Sequence, residues 1–77
     1  MTATNLMTVA IETGKRIGAA IARDVLADEL PTAWTGLDPQ DGDQLTAAGI
    51  ESGSAEWDAA ESAAEGEYRR RVQSANA

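Results

Sequence analysis

A chain of 77 residues with no cysteine and no histidine has room for one domain, and it lacks the side chains for the disulfides and zinc sites that reinforce many small domains. Its net charge of −7 argues against direct binding to nucleic acid, because an acidic surface repels phosphates instead of neutralising them. The reinforcement left to such a chain is association, with a second copy or with another protein.

The opening residues, Met1-Thr2-Ala3-Thr4-Asn5, carry no basic segment of the kind that begins a signal peptide. No apolar run approaches the roughly 20 residues of a membrane span. The protein is therefore expected in the cytoplasm and away from the membrane. Five arginines against one lysine, in an alanine-rich chain, suggest a GC-rich coding genome, that of a bacterium or of a phage acting in its bacterial host.

Residues 4–30 read as one long amphipathic helix. Leu6, Met7, Ala10, Ile11, Gly14, Ile17, Gly18, Ile21, Ala22 and Val25 recur at helical spacing, with Asn5, Thr8, Glu12, Lys15, Arg16 and Arg23 opposite. Thr4 or Thr2 is the expected N-cap, Glu12 and Arg16 an i,i+4 pair, and Pro31 the stop. Gly14, Gly18 and Ala22 form a small-residue row on the apolar side. Each interior glycine costs roughly 1 kcal/mol relative to alanine, so the row implies that a second helix approaches closely. That helix is either another element of the chain or a second copy, which makes Gly14, Gly18, Ile21 and Val25 the candidate self-association residues of a homodimer.

Residues 31–37 form a connector holding Trp34 and Leu37. Asp38-Pro39-Gln40-Asp41 then reads as a helix start, with Asp38 as N-cap and Pro39 in the first position. This short helix is expected over 39–48, weakened by Gly42 and closed by Gly49. The acids of this segment are not a calcium loop. An EF-hand with its glycine at 42 would need oxygen ligands where Leu37, Pro39 and Ala48 stand. Ser54 caps the last helix, 55–73, whose early Glu56 and Asp58 and late Arg69, Arg70 and Arg71 complement its dipole. Glu65–Arg69 and Glu67–Arg71 are i,i+4 pairs in the favourable order. Trp57, Ala60, Ala64, Tyr68 and Val72 make its apolar stripe, which suits close packing on the Gly14/Gly18 face. The expected fold is all-α, a single domain over 1–77 with a long, a short and a medium helix. Two arrangements fit it, a compact bundle or an antiparallel helix pair crossed by the short helix.

Charge is distributed unevenly. From Asp24 to Glu67 the chain runs 44 residues with twelve acids and no base. Such a segment either solubilises a small protein or presents a negative face to a basic partner. The candidate partner-binding acids are Asp38, Asp41, Asp43, Glu51, Glu56, Asp58, Glu61 and Glu65. Trp34 and Trp57 are candidate hot spots, since tryptophan is enriched at interface centres. Without Cys or His, nucleophilic catalysis lacks its usual base. No enzymatic activity, cofactor or metal is expected. The expectation is a stoichiometric inhibitor or regulator that docks acids onto the basic groove of a nucleic-acid-handling protein. In size, acidity and helicity it is similar to phage inhibitors of bacterial defence, anti-CRISPR proteins among them, a likeness of class and not of motif. The alternative is a self-associating scaffold assembled through the 4–30 helix.

Overall fold

A computed structural model describes residues 5–75. They form three helices, α1 (Leu6–Ala27), α2 (Pro39–Ala47) and α3 (Ala55–Ala75). The fold is all-α, with no strand among the described residues.

Each helix start has a side-chain cap. Asn5 accepts from the Met7 N–H at 2.8 Å and begins α1; the expected caps Thr2 and Thr4 lie outside the described residues. Asp38 and Asp41 build a reciprocal capping box on α2: the Asp41 N–H donates to Asp38 Oδ1 at 3.1 Å, and the Asp38 N–H to Asp41 Oδ2 at 3.2 Å. On α3 the Trp57 N–H donates to Ser54 Oγ at 3.1 Å. Caps of this kind stabilise a helix by about 1 kcal/mol each.

The end of α1 departs from expectation. The helix stops at Ala27, before Pro31 has any part in it, because Glu29 turns left-handed (φ 55°) and the Leu30 N–H donates back to the Val25 carbonyl at 3.0 Å. The same turn closes α2. There Gly49 (φ 88°) supplies the left-handed residue, and the Ile50 N–H reaches the Leu45 carbonyl at 3.0 Å.

The core centres on the crossing of α1 and α3. Gly14 lies against Ala60 and Gly18 against Ala64, so closely that a Cβ on either glycine would stand 2.2 Å from the opposing carbonyl oxygen. Ala22 follows against Tyr68 and Val72. Matching residues advance together along both helices, so α1 and α3 run parallel and not antiparallel. The connector and α2 carry the chain back to the starting end. Leu45 and Ile50 fill the remaining space beside Ala10 and Ile17, burying side chains worth about 1.5–3 kcal/mol each. Trp57 lies over α2 at Gly42, where an added Cβ would be 3.4 Å from its ring.

Gly14 and Gly18 are therefore not dimer surface. The small-residue row is occupied by α3 of the same chain, and neither glycine reaches the exterior. Ile21 and Val25 are half-buried against the Ala22–Tyr68–Val72 cluster.

Candidate interaction surface

The parallel crossing gives a molecule 42 Å long two distinct ends. The first turns of α3 lie beside the start of α1, where Leu6 meets Gly49, Glu51, Ser54 and Glu56 around one shallow depression. The last turns of α3 lie beside the end of α1, where Arg23, Arg70 and Arg71 line a cleft with Leu26. Asp58 and Arg70 are about 18 Å apart along the α3 axis at 1.5 Å per residue. That separation exceeds the Debye length of about 8 Å at physiological salt.

Within the acidic half, Asp58, Glu61 and Glu65 follow one another at three- and four-residue spacing on the outward side of α3. Asp58 and Glu61 are exposed and Glu65 half-exposed. Such like-charged neighbours each cost a helix a few tenths of a kcal/mol. Of these three, Glu65 alone pairs with a cation among the described residues, Arg69 at 2.6 Å. Asp38, Asp43 and Glu51 are exposed on and around α2, and Glu56 is half-exposed. Trp57 against Gly42 ties the two acidic elements together.

Asp41 does not belong to this face. It is only 9% exposed, and its carboxylate is turned back into the capping box. Burial pushes its carboxyl above the ordinary aspartate value, against the Asp38 N–H bond; the neighbouring Asp38 carboxylate adds to the rise. At the other pole Glu67 accepts from Arg71 at 2.6 Å and also from Arg70. These two guanidiniums hold its carboxyl below the usual range. The expected pair Glu12–Arg16 is not formed; both side chains are exposed.

Trp34 and Trp57, the two candidate hot spots, are both half-buried and packed on the core. Trp34 stacks at a tilt on Tyr68, with ring centroids 5.2 Å apart and planes at 52°. The Tyr68 hydroxyl donates to the Thr32 carbonyl at 2.7 Å, fastening the connector to α3. Sequence reasoning missed the surface around this pair. Ile21, Val25, Leu30, Pro31 and Trp34 line a groove of about 300 Å³. The signal was present in Leu30, an apolar residue set between Glu29 and Pro31 just past a helix end.

Against this geometry, comparison with known protein families, curated proteins and solved structures gives no match. No relative supplies a function. The site must be read from its own chemistry. Among the described residues no group of carboxylates is arranged to hold a metal ion, and no helix is long and apolar enough to cross a membrane.

Proposed function

We propose that this chain is a non-enzymatic binding protein, a stoichiometric inhibitor or regulator that docks its acidic face on a basic surface of a larger protein. The partner class is one whose basic groove otherwise holds nucleic acid, as in the anti-defence inhibitors of phages. The supporting observation is the row Asp58, Glu61 and Glu65 on α3, together with exposed Asp43 and Glu51, with no base in the whole segment from Asp24 to Glu67. Like charges kept in register on one helix cost stability when the protein is alone. A basic partner turns that cost into attraction and faster encounter.

The test is capture from bacterial lysate with tagged protein at low and high salt, in parallel with a variant carrying Glu56→Gln, Glu61→Gln and Glu65→Gln. The expected result is a nucleic-acid-handling protein that is released by salt and lost by the variant. A partner held equally by the variant would refute docking through these acids.

The self-association reading keeps fewer residues than its sequence argument gave it. α3 covers Gly14 and Gly18, leaving Ile21, Val25 and the exposed Leu6 and Leu30. Sedimentation of the purified protein separates the two readings: a stable dimer supports assembly, and a monomer leaves the docking reading alone.

A further inference from the structure

Two helices end in the same turn, and the turn delivers two apolar side chains to opposite fates. After α2, Gly49 takes the left-handed conformation without strain, and Ile50 is carried into the core, 1% exposed. After α1 the same position holds Glu29 at φ 55°, a conformation that costs a residue with a side chain about 1–2 kcal/mol. The side chain it delivers, Leu30, stays 50% exposed. Strain at this turn thus fixes an apolar side chain at the surface, at the edge of the groove formed with Ile21, Val25, Pro31 and Trp34.

The groove has apolar and small residues in its wall and acids beside it. Asp24 and Asp28 fall at helical spacing next to Ile21 and Val25, and Glu29 precedes Leu30; all three acids are exposed. Arg23 reaches Asp24 at 3.7 Å. Arg69 lines a neighbouring groove that shares Ala33, Trp34 and Tyr68 with this one. The groove edged by Leu30 has a volume of about 300 Å³, at the lower end for a ligand pocket and enough for one large side chain. From here the connector leads to Asp38, where the acidic face begins.

We propose that this groove receives one large apolar side chain carried on a cationic segment of a protein partner, with Asp24, Asp28 and Glu29 facing the lysines or arginines around it. The assignment rests on the basic-partner reading and adds the place where the partner's apolar anchor enters. Charge complementarity selects the occupant: an anionic or wholly apolar ligand would gain nothing from the three acids.

The probe is a short lysine- and arginine-rich peptide carrying one leucine, compared with the same peptide carrying alanine there. Binding is followed by the methyl NMR signals of Leu30, Val25 and Ile21 in the full chain, at low and physiological salt. The leucine peptide is expected to shift these methyls and to bind about tenfold or more tightly than the alanine peptide. Leu30→Ser, at a half-exposed position that leaves the core intact, should abolish the difference and retain salt sensitivity. Equal affinity for the two peptides, or an indifferent Leu30→Ser variant, overturns the groove assignment and leaves the acidic face standing. Binding of neither peptide at low salt overturns both. Methyl shifts that grow with protein concentration in the absence of peptide would assign the groove to a second copy and overturn the proposal.

Discussion

Asp41 shows how one carboxylate can serve a helix start and be lost to the surface. Its spacing from Asp38 announces the cap, yet nothing in the spacing reveals that the side chain is buried. A buried acid whose folded value is raised favours the native state when protonated. Its contribution therefore improves as pH falls through that raised value and is unfavourable at neutral pH. Asp41→Asn keeps an acceptor for the Asp38 N–H, so relative to the parent it should gain most at pH 7 and lose that advantage at about pH 3, below the ordinary aspartate value. Thermal unfolding at the two pH values measures the gap. Glu67 runs the other way: its lowered value means stability present above the ordinary glutamate range and lost as pH falls through the lowered one. Glu29 supplies a second expectation at this scale. Glu29→Gly relieves the left-handed strain while loosening the unfolded chain, for a net gain of about 0.5–1 kcal/mol in urea denaturation. If stability fell instead, the turn would not be strained.

Among the elements, the three helices and the caps of α2 and α3 were legible because local chemistry decides them: Asp38-Pro39, Ser54 and Gly49 act within a few residues of themselves, whereas Asn5 and not Thr4 or Thr2 caps α1 among the described residues. The end of α1 was not, since Pro31 is a stronger textual signal than a glutamate adopting a glycine's conformation. The close crossing was half legible. Gly14 and Gly18 demand a neighbour, and Ala60 and Ala64 offer one at the same four-residue spacing. What sequence could not decide was whether that neighbour belongs to the same chain, or which way it points. A connection of residues 28–54 is long enough to return α3 in either direction, so the parallel sense comes from tertiary packing alone. Gly18→Ile is expected to unfold the monomer and not merely split an oligomer, because the added atoms meet the Ala64 backbone at 2.2 Å. Overpacking of this kind costs at least about 1–3 kcal/mol. Circular dichroism with sedimentation distinguishes the outcomes; a folded, monomeric variant would contradict the crossing. By contrast Gly66 meets nothing on its exposed helix face, and Gly66→Ala should add up to about 1 kcal/mol.

For the molecule as a whole, the base-free segment was plain in the sequence but its placement was not. Burial removes Asp41 from the face, and Asp58, Glu61 and Glu65 follow one another on the open side of α3, the last paired with Arg69. Glu61 stands at the centre of the outward row. Glu61→Gln is expected to raise the stability of the isolated protein by a few tenths of a kcal/mol and to weaken capture of a basic partner. A variant more stable and equally adhesive would mean that the acids only keep the protein dissolved.

The parallel crossing also governs when the protein can fold. Gly14 finds Ala60 and Gly18 finds Ala64, contacts between residues 46 positions apart in each case. Helical proteins usually fold fast because their contacts are local; here the defining contact is not. During synthesis the glycine face of α1 stays bare until the α3 residues from Ala60 to Val72 have followed it. The crossing cannot begin to form before α3 has been made.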